Sequence, residues 1–367
     1  MSPLKITIFG AGNIGSALAV ALAADPTFDV EVADGSEQAL DRLRGLGCAA
    51  KTHALGREEE IHAVLAGRDV AVGAVPETAL AQVAAGAARA GVHYLDFSAA
   101  TARTRGLLEP LARERAVFNG CGVSPGIIGN IACNLLDTFS PVTDLTVRVG
   151  AIPRYPTNRL GYGQIWNVDG LIDEYTRPSA AIRDGKVVEL TPLEDYERLS
   201  IDGVAYEGFV TSGGIEDLAI FSDSMPKNVT VKTLRYPGHL DYMRFLLDDL
   251  GLRHRRDMLK SLLYNGLPVI EDDVLLLVVT ARGCRGRQPT ERTICHRFSP
   301  NAACSPFNAL TSVAAGYAAT LLSMLQAGTI GPRGFVAHHR IDTDRLLASR
   351  FIRPLLGAPG DVRPVAG

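Results

Sequence analysis

The run "KITIFGAGNIGSALAVALA", Lys5 to Ala23, constrains this chain more than any other stretch. An apolar, strand-like segment ends at Gly10, and an Ala- and Leu-rich helix-like segment starts a few residues later. Gly10, Gly12 and Gly15 fall in the GxGxxG spacing, which alone is a weak signal but gains meaning between a strand and a helix. Gly10 permits the tight turn, Gly12 lets the backbone approach a pyrophosphate, and Gly15 allows close helix–strand packing. With Asn13 and Ile14 these residues open a helix whose free N–H groups and partial positive charge suit phosphates. The bland alternative is a glycine-rich strand–turn–helix that holds no ligand.

The next strand, "FDVEVAD", ends at Asp34. A carboxylate there accepts both ribose hydroxyls of an adenosine and repels a 2′-phosphate, and it is followed by Gly35 and Ser36 rather than Arg. NAD is therefore expected over NADP. "AVPETA", Ala74 to Ala79, follows the fourth strand and puts Val75 and Pro76 near the nicotinamide half of such a cofactor. Pro76 and Glu77 also read as ordinary helix-start chemistry.

Strand and helix periods alternate to about residue 120, which predicts a parallel sheet with helices on both faces. The rhythm changes near Cys121. From about Pro141 the strands lengthen, as in "TDLTVRVGAIP" and "NVTVKTLRYPG", favouring a mixed or antiparallel sheet. A long small-residue helix is expected within Ser305 to Gly331. The organisation expected is α/β: residues 1–122 with about 305–345 as the dinucleotide-binding domain, 123–304 as a substrate-binding and dimerisation domain, and 346–367 as a loose Pro/Gly-rich tail.

Composition narrows the function. A net charge of −3 with interspersed signs gives no footprint for nucleic acid. The one basic cluster, Arg253 to Arg256, is flanked by Asp248, Asp249 and Asp257 and reads as a solvated helix start. No leader is expected from "MSPLKITIFG", which enters a strand at once. No apolar run reaches the roughly 20 residues of a bilayer span, so no membrane contact is expected. Six cysteines, Cys48, Cys121, Cys133, Cys284, Cys295 and Cys304, form no CxxC pair. They suggest neither zinc nor a disulfide framework, and a cytoplasmic protein with reduced thiols is the simplest reading.

Ligands of open parallel sheets bind outside the carboxyl ends of the strands. Asp96 ends the fifth strand and Cys121 follows the sixth, so both are expected at the crevice. A buried hydrogen-bond acceptor and a small packed hydrophobe are the competing readings. Further on, "VKTLRYPGH" sets Arg235, Tyr236 and His239 around a Pro-Gly break. Arg235 suits a bidentate grip on a carboxylate, and His239 suits proton exchange with an amine. A solvated surface turn is the competing reading. "LGYGQIWNVDGLIDEYTRPS" holds the single Trp, Trp166, with Tyr162, Tyr175 and Arg177, and reads either as pocket lining or as aromatic core.

Taken in order, "GAGNIG", "HYLDFS", "CGVSPGIIGNIA", "VGAIP", "GLIDEYTRP", "GKVVEL", "TSGG" and "KTLRYPGH" resemble the saccharopine dehydrogenase family, and within it the lysine 6-dehydrogenase branch. The resemblance runs from Ile6 to about Gly334. It implies a Rossmann domain with a second α/β domain inserted before the final helix, a homodimer, and an amino-acid substrate held between domains. By that resemblance Arg235 and His239 are pocket residues. Tyr236, Cys121, Trp166 and Tyr175 are read as further substrate contacts, and Asp96 with His239 as candidates for proton transfer. The activity implied is NAD-dependent oxidation of the ε-amino group of L-lysine or a close analogue to the semialdehyde or cyclic imine. Saccharopine-type reductive condensation of an aldehyde with an amino acid is the alternative within the same chemistry. A non-catalytic NAD(H)-binding sensor is the alternative outside it. The family's Arg-Thr-Thr-Gly-Tyr-Pro-like run is replaced here by "TSVAAGYAATLL", its C-terminal Pro-rich stretch by "FVAHHRID", and "RGCRGRQPTERTICHRFSPNAACSP" is unusual. These departures bear on substrate and dimer contacts more than on the cofactor.

Overall fold

A computed structural model describes residues 2–56, 60–300 and 306–364. The chain divides into two compact units, Met1–Ile127 with Thr311–Pro354, and Ile128–Leu310 with Leu355–Gly367. The alternation read from the sequence holds through the first stretch: β1 (Leu4–Phe9), α1 (Asn13–Ala23), β2 (Phe28–Asp34), α2 (Glu37–Gly45), β3 (Lys51–Ala54), α3 (Glu60–Val64), β4 (Val70–Gly73), α4 (Glu77–Ala90), β5 (His93–Asp96), α5 (Ala102–Ala112) and β6 (Ala116–Phe118). Local chemistry sets the ends of these helices. The Ser36 hydroxyl accepts from the Ala39 N–H at the start of α2, and α4 stops at Gly91 in the left-handed conformation.

The chain then forms α6 (Ile127–Leu136), β7 (Val142–Pro153), α7 (Val168–Thr176), β8 (Ser179–Arg183), β9 (Lys186–Leu190), β10 (Glu197–Ile201), β11 (Val204–Val210), β12 (Asn228–Arg235), α8 (His239–Arg244), α9 (Arg256–Gly266), β13 (Asp273–Arg285) and β14 (Gln288–Phe298). It closes with α10 (Ala309–Gln326), β15 (Gly334–Phe335), α11 (Thr343–Leu347) and β16 (Val362–Pro364). The basic cluster does start a helix, and Arg256 and Lys260 of α9 pair with Asp173 and Asp169. The unusual stretch beyond Arg282 is the β13–β14 hairpin, turning at Gly286 with φ 64°. Ser305 and Cys304 lie outside the described residues.

In the first unit the described strands lie in the order β15-β6-β5-β4-β1-β2-β3, and every pair is parallel. Ile6, Ile8, Val70, Ala71 and Val72 are fully buried, as expected where helices cover both faces. Strand order reverses at β1, so the crevice beyond the carboxyl ends of β1 and β4 is the switch point where ligands bind. Gly10, Asp34, Ala74 and Asp96 stand at the carboxyl ends of β1, β2, β4 and β5 in turn. Helix α10 is apolar and long enough to cross a membrane by composition, yet 83 % of it is buried in the protein, as in a core helix.

In the second unit the sheet is mixed. Its main path runs β14-β13-β7-β12-β11-β10-β16, with β7 and β12 parallel and the other pairs on that path antiparallel. The C-terminal stretch differs from the loose tail expected. Residues up to Pro354 belong to the first unit, and those from Leu355 belong to the second. This last segment bonds both edges of the sheet. Gly357 N donates to Arg297 O and Gly360 N to Cys295 O on the β14 edge, while Val362–Pro364 pairs with Leu199–Ile201 on the β10 edge. Backbone hydrogen bonds need no apolar pattern, so composition could not disclose them. A Cβ on Gly360 would sit 2.7 Å from Cys295 Sγ and 3.0 Å from Ile201 Cγ2, which is why a glycine occupies the crossing.

Candidate active site

The glycine turn is built as its spacing predicts. Gly10 has φ 107°, and a Cβ there would lie 2.2 Å from Ala74 O and 3.1 Å from Val75 Cγ1. A Cβ on Gly15 would lie 1.9 Å from Gly10 O, so β1 and α1 touch backbone to backbone. A Cβ on Gly12 would meet nothing within 4 Å, leaving open approach where a pyrophosphate would lie. Gly12 is the N-cap of α1, whose first residues are Asn13 and Ile14. Asp34 ends β2 beside this turn. Its carboxylate accepts from Ala11 N at 2.6 Å and from Ser36 N at 2.7 Å. Pro76 caps α4 next to Val75. These residues fit a dinucleotide: open backbone at Gly12, a helix N-terminus behind it, and a fixed carboxylate at the second strand.

Asp96 is 1 % exposed. Its oxygens accept from Gly120 N at 3.1 Å and Asn119 Nδ2 at 2.9 Å, tying β5 to the loop after β6. Burial pushes its carboxyl up to about 6, against the pull of the Gly120, Asn119 and Ser98 hydrogen bonds. The Tyr94 hydroxyl lies beside it, and among the described residues it has no partner of hydrogen-bond geometry. Asn119 O in turn accepts from His338 Nε2 at 2.8 Å, which places the hydrogen on Nε2. His338 Nδ1 meets the Tyr317 hydroxyl of α10 at 2.9 Å, and burial lowers this ring to about 4. Cys121 is fully buried, and burial raises its thiol well above the ordinary range. It packs as a neutral hydrophobe and presents no surface to a substrate, which corrects the crevice position expected for it.

The Asp96 carboxyl gives a signed test. A buried acid raised from 3.8 to about 6 binds its proton more tightly folded than unfolded, so its ionisation removes stability as the pH climbs through that window. Asn at this position keeps an acceptor and cannot ionise. Relative to the parent, Asp96→Asn should therefore gain on the order of 2 kcal/mol between about pH 4 and pH 7. Urea midpoints across that range measure the difference, and a constant offset would show that Asp96 does not titrate there.

In the second unit, Arg235, the last residue of β12, points inward. Its Nη2 bonds both Glu174 oxygens at 3.1 Å, and its Nε donates to the Tyr175 hydroxyl at 2.9 Å. The Tyr162 ring lies 4.5 Å from the guanidinium carbon. Burial works to lower the Arg235 pKa, but the Tyr175 and Glu174 oxygens outweigh it and hold the group charged. Glu174 also accepts from Thr233 Oγ1 at 2.5 Å. The Tyr175 hydroxyl meets His239 Nε2 at 2.9 Å, and His239 Nδ1 meets Leu160 O at 2.8 Å. A carbonyl only accepts, so His239 carries its hydrogen on Nδ1 and Nε2 accepts from Tyr175. Burial and then the Arg235 charge lower His239 to about 3.

This arrangement revises two expectations. Arg235 is spent on Glu174 rather than left for a substrate carboxylate, and both ring nitrogens of His239 are taken. The turn itself is pinned by the buried Glu207, which accepts from Gly238 N at 3.0 Å and Leu240 N at 2.7 Å. Tyr236 stacks on Tyr206 at 5.6 Å and donates to Pro153 O. Trp166 is 38 % exposed, its indole N–H bonded to the Tyr162 hydroxyl at 3.1 Å and one face against Gly170. With the half-buried Tyr236, it is a sequence-predicted contact that still offers aromatic surface. Glu174 and Glu207 escaped notice in the sequence. Glu174 shares α7 with Asp169 and Asp173, and such a run reads as a solvated face.

A doubly wound parallel sheet with this glycine turn and strand-end carboxylate defines a dinucleotide-binding oxidoreductase. Family models agree: the saccharopine dehydrogenase NADP binding domain matches residues 6–116, and the saccharopine dehydrogenase C-terminal domain matches residues 122–360. The chain belongs to the saccharopine dehydrogenase family. Among solved structures, it superposes on L-Glu-forming saccharopine dehydrogenase from Saccharomyces cerevisiae with TM-score 0.78 at 17 % identity, covering 99 % of this chain and 100 % of the yeast chain. DAP dehydrogenase from C. glutamicum aligns at TM-score 0.48 and 13 % identity over 95 % of this chain and 97 % of its own. At these identities the likeness is one of fold.

Proposed function

We propose that this protein is an NAD-dependent dehydrogenase acting at the C–N bond of an amino acid, with the ε-amino group of L-lysine or a close analogue as substrate. The observation that carries the reading is Asp34, fixed by Ala11 N and followed by Gly35–Ser36, with no cation next to it in sequence to receive a 2′-phosphate. Gly10 to Gly15 would hold the pyrophosphate, Asp34 the adenosine ribose, and Val75–Pro76 the nicotinamide side. When bound, NAD would accept a hydride from the carbon that bears the amine.

The chain's own residues position the substrate. The Trp166 face receives its aliphatic stem, and Tyr236 lines the same unit. The Glu174–Arg235–Tyr175–His239 chain acts behind them, fixing Tyr162 and through it Trp166. Asp96 holds the strand ends that carry the cofactor loops. On this reading Asp96 and His239 are positioning residues. The lysine ammonium, with a pKa of about 10.4, must lose its proton before hydride can leave. The resulting iminium takes up water and releases ammonia to give the semialdehyde, or closes on the α-amine.

Reductive condensation of the saccharopine type is favoured by a specific observation. Arg148 and Arg154 are spent on Glu197 and Asp272, but Arg159 and Arg177 are exposed and have no partner among the described residues. Two free guanidinium groups suit a substrate with additional carboxylates.

The test is nicotinamide absorbance with purified protein, NAD and L-lysine at rising alkaline pH, with an aldehyde reagent to trap the product. Reduction with a trapped semialdehyde or cyclic imine, faster at higher pH, is expected. NADH binding without turnover of lysine would sink that substrate and turn the search to saccharopine.

A further inference from the structure

A recess of about 200 Å³ lies at the amino ends of β4, β5 and β6, lined by Arg68, Asp69, Gly91, Val92, His93 and Arg115. The cofactor turn stands at the carboxyl ends of the same parallel sheet, so the recess is at the other end of the strands and is separate from that site. Arg68 is bonded through Nη1 to the Asp29 carboxylate and through Nη2 to the Ile6 and Asp29 carbonyls, while its buried Nε has no partner among the described residues. Three other groups present polar atoms to the recess. Arg115 Nε donates to Gly91 O at 2.5 Å, which fixes the guanidinium but leaves both terminal nitrogens without a partner among the described residues. Asp69 Oδ2 accepts from Lys5 N at 2.9 Å, leaving Oδ1 free. His93 Nδ1 accepts from Ala116 N at 2.9 Å, so the neutral ring carries its hydrogen on Nε2, which has no protein acceptor among the described residues.

The backbone that carries Asp69 and His93 is held in the sheet, while Asp69 and Arg115 are exposed residues open to a ligand from solvent. Asp69 N donates to Lys5 O at 2.8 Å and His93 N to Asp69 O at 2.9 Å, as part of the sheet framework. Arg115 and Asp69 line one recess without forming an ion pair with each other. A lone anion would meet the Asp69 carboxylate, and a lone cation would meet Arg115. A small molecule with both charges on neighbouring atoms satisfies both groups at once.

We propose that this recess binds the zwitterionic head of a free α-amino acid, its carboxylate on Arg115 and the His93 Nε2–H and its ammonium on Asp69. The site is an effector site, remote from the cofactor, and it stands independently of the catalytic reading above. Burial and then the Arg115 charge lower the pKa of His93, so the ring is a neutral donor at physiological pH.

The test follows the His93 ring resonance in full-length protein with isotope-labelled histidine, assigned with His93→Gln. The probes are glycine, L-lysine and L-glutamate, with acetate and methylammonium as half-ligands. A saturable shift with at least one amino acid is expected, about ten-fold or more tighter than with either half-ligand. Asp69→Asn keeps an acceptor for Lys5 N but loses the charge, and should weaken amino-acid binding about ten-fold while sparing acetate. No saturable shift with any of the three amino acids overturns the proposal, as does acetate binding as tightly as they do, or unchanged amino-acid affinity in Asp69→Asn. The readout involves no turnover, so its failure would leave the dehydrogenase assignment standing.

Discussion

Glu174→Gln should cost about 3–5 kcal/mol of stability, because it strands the buried Arg235 guanidinium without its counter-charge. The same loss is expected of Arg235→Met, which leaves the carboxylate uncompensated. The double variant Glu174→Leu/Arg235→Met should recover much of the loss, since replacing both partners by apolar groups removes the uncompensated charge along with the pair. The Thr211 and Thr233 hydroxyls, 2.8 Å apart in the parent, can still bond each other in that variant, and the Tyr175 hydroxyl can still donate to His239. Urea unfolding of the four proteins gives the coupling energy directly. Additive losses would mean that the pair does not hold the cluster together, and a Glu174→Gln cost below about 1 kcal/mol would place the ion pair in solvent-like surroundings. The kinetic companion is Trp166. If the buried pair fixes Tyr162 and through it the indole, Glu174→Gln should also raise KM for the amine.

The second large effect concerns the cofactor. Asp34→Arg should weaken NADH by about ten-fold or more and improve NADPH, because it exchanges an acceptor for the ribose hydroxyls for a cation that welcomes a 2′-phosphate. Asp34 also holds Ala11 N and Ser36 N, so this change disturbs the turn as well as the ribose. Asp34→Asn separates the two effects, since its side-chain oxygen still accepts from a backbone N–H while the charge is gone. Fluorescence titration with NADH and NADPH reports both variants. An unaltered NADH to NADPH ratio in Asp34→Arg would remove Asp34 from the ribose.

What the sequence disclosed and what it hid follow from the range of the forces involved. Gly10, Gly15 and Asp34 were legible because their constraints are local: a turn, a close packing and a strand end, all within one strand–helix–strand unit. The mixed second sheet was legible from strand length. Arg235 and His239 stand together in the sequence and Tyr175 in another stretch, and only the fold joins the three by hydrogen bonds. A free histidine titrates near neutral pH, and only the three-dimensional enclosure of His239 shows that it stays neutral. Glu174 and Glu207 were invisible because each acts on a partner far along the chain. Cys121 took the commoner of the two fates open to a cysteine after a strand, that of a packed hydrophobe.

The segment that bonds both edges of the second sheet also guards it against association. Residues 355–364 cover backbone that β10 and β14 would otherwise leave bare. Bare edges of that kind invite pairing with a strand of another molecule. Loss of this segment would therefore expose two edges at once and turn a folded unit into a template for aggregation.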